Sequence, residues 1–185
     1  GRPTFVYGAY GPGAANVAGA LAEPFWSGSP VVAMTSTMRR TERFRREYQE
    51  LDQPPLFAPV TKWGVEASIP AHTPWLVREA ARQAISGAPG PVYLGIPTAL
   101  FEAELTDHRL PSIGEPALEM PLSRPAPNAA DAESIVRALT SAERPIILAG
   151  NGIHKSGAHG ALRLAAERFG IPVVCAGLAG GRTGV

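Results

Sequence analysis

Short β-rich apolar runs alternate with longer amphipathic stretches, and no other feature restricts the fold of this chain so strongly. Runs at 4–7, 31–34, 92–96, 145–149 and 171–175 have strand length and strand composition, and 57–65 reads as extended. Between them lie helical patterns. One begins near Ala14 to Asn16 and carries Val17, Leu21 and Phe25 on one face, with Pro24 expected to kink it or end it early. The charged stretch 41–51 reads as a second helix, stopped before Pro54-Pro55. Thr73, as cap, and Pro74, in the first helical position, open a third helix through Leu76, Val77, Ala80, Ala81 and Ala84. Asn128 caps a helix at 129–142 with Ile135, Val136 and Leu139 inward, and a helix at 158–169 ends at Gly170. Strands alternating with helices in this way predict an α/β fold, with parallel sheets carrying helices on both faces.

Five prolines between 106 and 127, without sustained periodicity, mark a connector. The chain therefore divides into a first unit at 1–105, a proline-rich linker at 106–127 and a second unit at 128–185. The second unit holds two strands and two helices, too few to close a core, so an open sheet edge and an uncovered apolar face are expected there. Together with a start that has neither an initiator Met nor a leader pattern, this reads as an interior piece of a longer protein.

A formal net charge of +1 gives no electrostatic argument for nucleic acid or anionic lipid. Arg39, Arg40, Arg43, Arg45 and Arg46 are interleaved with Glu42, Glu47 and Glu50, which predicts a solvated helix face with near-neighbour ion pairs. No apolar run is long enough to cross a bilayer. Cys175 stands alone, so no disulfide framework or cysteine metal site is expected, and it reads as a small buried residue at a strand end. His72, His108, His154 and His159 lack metal-ligand spacing and are expected in loops or on the surface. A reducing, cytoplasmic setting fits this usage.

Gly11-Pro12-Gly13-Ala14-Ala15-Asn16 follows a strand and opens a helix. Such a loop lets a ligand approach the backbone and aims helix N–H groups at it, at the carboxyl end of a parallel strand where ligands bind. A loop that only shapes the strand-to-helix turn is the competing reading, above all for Pro12 and Asn16.

The series GRPTFVYGAYGPGAANVAGALAEPFWSGSPVVAMTSTM, YQELD, PVTKWGVEA, REAARQAISGAPGPVYLGIP and RPIILAGNGIHKSGA…ALRLAAERFGIPVV resembles, nearly end to end, the acetolactate synthase (acetohydroxyacid synthase) type of thiamine diphosphate-dependent enzyme. The resemblance implies the C-terminal part of a pyrimidine-binding domain followed by part of a central domain. It implies decarboxylation of a 2-keto acid and capture by a second carbonyl compound, in a homodimer or homotetramer with thiamine diphosphate between subunits. The family's proton-relay glutamate would fall before Gly1, and its Mg2+ motif in a later domain. By the same resemblance Gly11, Pro12, Gly13 and Asn16 lie beside the cofactor's aminopyrimidine, while Gln49 and Lys62 lie near cofactor and substrate. Exposed positions are the competing readings for Gln49 and Lys62. Gly150, Asn151 and Gly152 match a triple-glycine stretch of the family's FAD site, with Asn151 intruding. An empty central domain, or one holding an adenine nucleotide, is the alternative to FAD.

Ala9-Tyr10 stands where the family carries Thr-Ser, so the substrate stays open. Another 2-keto acid decarboxylase on the same scaffold, or a non-catalytic nucleotide-binding module using 150–157, are the alternatives. Against the module, Lys155 occupies the third glycine position of a dinucleotide loop.

Overall fold

The computed structural model describes residues 3–104 and 126–176. Its contacts divide the chain into two units, Gly1–Leu122 and Ser123–Val185. The expected connector, apart from 126 and 127, lies outside the described residues, as does His108.

In the first unit the order is β1 (Thr4–Gly8), α1 (Pro12–Ala20), α2 (Ala22–Ser27), β2 (Val31–Thr37), α3 (Gln53–Phe57), β3 (Trp63–Glu66), α4 (Thr73–Ile85), β4 (Val92–Pro97) and α5 (Thr98–Phe101). The strands form one parallel sheet in the order β1-β2-β4-β3. β4 is buried along its whole length, as its unbroken apolar run requires of a strand covered on both faces. On one face Val32, Val92, Leu94 and Ile96 pack against Ala80, Ala81 and Ala84 of α4. The small alanines bring that helix close to the sheet. On the other face Ala33 and Tyr93 pack with Ala14, Ala18 and Leu21 of the α1 region and Phe57 of α3. Phe57 and Tyr93 stack with ring centroids 4.2 Å apart and planes 13° from parallel.

Several expectations are corrected here. The first helix starts at Pro12 rather than near Ala14, because proline suits a first turn whose N–H groups have no intrahelical partner. The chain breaks at Leu21, between α1 and α2, three residues before Pro24, whose missing N–H then falls in the first turn of α2. Residues 41–51 form turns rather than a helix, and Phe44, Arg46 and Gln49 take positive φ values of 68°, 59° and 61°. Only part of 57–65 is extended: Ala58–Val60 is a 3-10 turn, and the strand begins at Trp63. Thr73 does not cap α4; it lies inside the helix, and His72 holds the cap position.

The second unit contains α6 (Ala129–Ser141), β5 (Ile147–Ala149), α7 (Gly152–Ser156), α8 (His159–Phe169) and β6 (Val173–Cys175), with β5 and β6 paired in parallel. Asn128 caps α6 as expected, its Oδ1 accepting from the Ala130 N–H at 2.9 Å. Gly170 ends α8 in the left-handed conformation, also as expected. Ile135 and Val136 do not point inward; they are 61% and 47% exposed, and Leu148 is 70% exposed. This is the uncovered apolar face expected of so few elements. The stretch expected as a loop at 150–157 contains α7, which places His154 on a helix with its Nδ1 3.1 Å from Nε2 of His159. Cys175 is half-buried rather than buried.

Candidate functional site

All four strands of the first unit are parallel, so their carboxyl ends share one edge of the sheet. A cavity of about 600 Å³ opens there. Thr37 from the end of β2, Glu66 from the end of β3 and Gln53 from the start of α3 line it, and the turns at 43–52 wall it. Register explains the grouping. Thr35 pairs with Gly95, and Gly95 pairs with Glu66, so these residues form one row on one face of the sheet. Thr37 lies two residues beyond Thr35 on the same face.

Glycine at 95 makes the arrangement feasible. A Cβ there would lie 2.4 Å from the Tyr93 hydroxyl and 3.0 Å from the Thr37 methyl. The Tyr93 ring can therefore lie along the sheet with its hydroxyl over Gly95. That hydroxyl donates to Gln53 Oε1 at 3.2 Å, and Thr35 Oγ1 donates to the same oxygen at 2.5 Å. Gln53 Nε2 donates to the Ser36 carbonyl at 2.8 Å. Burial pushes the Tyr93 phenol up to about 12, so it stays protonated as a donor.

Three of the residues singled out by sequence meet at this edge. Gly11 is buried at the cap of α1 with φ 65°. A Cβ at Gly11 would lie 2.6 Å from the Gln49 carbonyl oxygen and 2.7 Å from Gln49 Cβ, so the glycine loop and the Gln49 turn are in direct contact. Gly13 follows in the first turn of α1, and the loop is tied to β2 by the Tyr10 N–H donating to Ser36 Oγ at 3.0 Å. Gln49 lines the cavity, and its side chain is exposed. Pro12 and Asn16 are exposed on α1.

Glu50 organises the wall. Its carboxylate accepts from the backbone N–H groups of Phe44 and Glu47, and the Phe44 bond holds its pKa below the usual range. The arginines do not form the expected helix face. Arg39 pairs with Glu102 at 2.6 Å, and Arg43 reaches across the cavity to Glu66, whose bond raises the guanidinium pKa further.

Lys62 is not brought to this cavity. It precedes β3, at the opposite edge of the sheet, and its ammonium donates to the carbonyls of Ser86 and Ala88, both at 2.6 Å. In the second unit Gly150, Asn151 and Gly152 lie at the end of β5 and the start of α7. A Cβ at either glycine would meet nothing within 4 Å, so no close backbone approach among the described residues requires glycine there.

Sequence reasoning missed Thr37, Gln53, Glu66 and Tyr93. The available signal was a glutamate ending an otherwise apolar strand pattern, WGVE, at the edge where parallel sheets bind ligands.

Residues 132–182 match the family described as thiamine pyrophosphate enzyme, central domain. Over those residues the chain is similar to the thiamine pyrophosphate enzymes. The acetolactate synthase large subunit of Corynebacterium glutamicum is 34% identical over 166 residues, 89% of this chain and 26% of that protein. The glyoxylate carboligase of Escherichia coli O157:H7 is 29% identical over 167 residues, 90% of this chain and 27% of its own length. Among solved structures, the thiamine diphosphate-dependent 4-hydroxybenzoylformate decarboxylase of Rhodococcus jostii RHA1 superposes with a TM-score of 0.73 at 22% identity. That match covers 94% of this chain and 32% of that one, and it shows the fold. The chain thus spans about a quarter to a third of the length of these relatives.

The strand-end cavity has a wall of turns and a polar floor of Thr37, Gln53 and Glu66, with Gly11 packed behind the Gln49 turn. Among the described residues no helix is long and apolar enough to cross a membrane, and no group of three or more His, Cys, Asp or Glu could hold a metal ion.

Proposed function

We propose that this chain serves a thiamine diphosphate-dependent carboligase of acetolactate synthase type, which decarboxylates a pyruvate-like 2-keto acid and joins the product to a second carbonyl compound. The contact of Gly11 with Gln49 at the rim of the strand-end cavity carries this reading. When bound, the cofactor supplies the carbon nucleophile and the electron sink for decarboxylation. This chain's residues have humbler work. Gly11 and Gly13 let the loop pack closely against the Gln49 turn and Ala9, Gln49 presents an amide at the rim, and the network of Gln53, Thr35 and Tyr93 fixes the floor. By the family resemblance the functional assembly is a homodimer or homotetramer, and Mg2+ accompanies the cofactor's diphosphate outside this chain.

FAD is not part of the proposal: no neighbour among the described residues requires glycine at 150 or 152. Lys62 enters it only as a staple between β3 and the turn before β4. Replacing Lys62 by Met is expected to cost about 1 kcal/mol of stability and leave KM for the keto acid unchanged. The test of function uses a protein of the relatives' full length carrying this chain, supplied with thiamine diphosphate, Mg2+ and pyruvate. Carbon dioxide release coupled to a 2-hydroxy-2-keto acid product is expected. Release of the free aldehyde alone would make it a simple decarboxylase, and no cofactor-dependent turnover would overturn the reading.

A further inference from the structure

We propose that the cavity floor selects a substrate whose side chain carries a hydroxyl group, with Glu66 and Thr37 as the specificity-determining pair; this rests on the reading that the cavity serves a thiamine diphosphate-dependent keto-acid reaction. Two polar atoms of the floor carry the inference. Thr37 is 2% exposed, lines the cavity, and its Oγ1 has no hydrogen-bond partner among the described residues. Glu66 also lines the cavity. Arg43 holds its Oε1, whereas its Oε2 is buried without a partner among the described residues.

Leaving a buried hydroxyl unpaired is costly, and a carboxylate oxygen more so. Native folds pair nearly all such atoms, with protein, ordered water or a bound molecule. The two residues flank β4 from either side, Glu66 level with Gly95 and Thr37 level with Pro97, on the face left open by the glycine. The Tyr93 hydroxyl lies over Gly95, and its proton goes to Gln53.

The chemistry of this floor is one-sided. The Glu66 carboxylate only accepts, and Thr37 can give or accept. An alkyl group entering here would leave Thr37 and Glu66 unsatisfied. A second carboxylate would meet the Glu66 charge. Because Arg43 already balances Glu66, a neutral donor matches the floor better than an ammonium. A hydroxyl satisfies both residues, giving its proton to Glu66 and accepting from Thr37.

The experiment compares hydroxypyruvate with 2-ketobutyrate, which have the same number of heavy atoms, in the full-length holoenzyme with thiamine diphosphate and Mg2+. Pyruvate serves as the control. The expected kcat/KM ratio favours hydroxypyruvate by about 100-fold or more, since sites built to bond a hydroxyl reject analogues lacking it. Thr37→Val should lower that ratio at least tenfold, mainly through hydroxypyruvate, while Thr37→Ser should retain it. Glu66→Gln preserves shape and should also erode the ratio. A ratio near one, or one that neither Thr37→Val nor Glu66→Gln moves, overturns the inference while turnover of pyruvate leaves the functional reading standing. Absence of cofactor-dependent turnover with all three keto acids overturns both.

Discussion

Glycines that share a positive φ make unequal demands, and Gly11 and Gly87 show why. Both have positive φ, 65° and 57°, yet a Cβ at Gly87 would meet nothing within 4 Å, while one at Gly11 would strike Gln49. Gly87→Ala should therefore cost only the conformational penalty, about 1 kcal/mol. Gly11→Ala must in addition displace the Gln49 turn and should cost about 2–4 kcal/mol by urea denaturation; equal costs would mean that the contact is slack. Tyr93 offers a test by pH. Its phenol titrates near 12 when folded against 10.0 unfolded, so the folded state binds the proton more tightly. Stability from this residue is complete below pH 10 and is lost as pH rises through 10–12. The loss is roughly 2–3 kcal/mol at most. Tyr93→Phe should flatten that part of the stability profile, and an unchanged profile would place the hydroxyl in water.

At the scale of elements, the sequence was legible where periodicity and burial agree. β1, β2, β4, α4 and the Asn128 cap of α6 follow from apolar runs, alanine spacing and a capping residue. The segment 41–51 was not legible, because its charges fit an ion-paired helix as well as they fit a turn. Tertiary partners decide the matter. Arg39 and Arg43 bond to Glu102 and Glu66, distant in sequence, and Glu50 turns back onto the N–H groups of Phe44 and Glu47. The same logic hid the cavity floor: Thr37 and Glu66 gain significance from strand register, which local pattern does not encode. The Gly11 loop was legible as a glycine-rich strand-to-helix turn, Gln49 only through resemblance to a family, and Lys62, named by the same resemblance, lies away from the cavity described here. Glu50→Ala should free the turns and speed trypsin cleavage after Arg45 and Arg46 several-fold. An unchanged cleavage rate would show that the wall holds without that carboxylate.

Across the whole molecule, two α/β units carry different amounts of core. The first buries a strand on both faces and builds a cavity at its carboxyl edge. The second leaves Ile135, Leu148 and Leu164 exposed, while its residues 132–182 match a thiamine pyrophosphate enzyme central domain. The relatives are three to four times longer than this chain. We propose that the Gly11–Gln49 contact shapes a cofactor site at the strand ends. Calorimetric titration of thiamine diphosphate with Mg2+ into the full-length protein tests it most directly. Saturable binding that Gly11→Ala weakens at least tenfold and Gly87→Ala leaves intact is the predicted result, whereas equal affinity in all three proteins would contradict it.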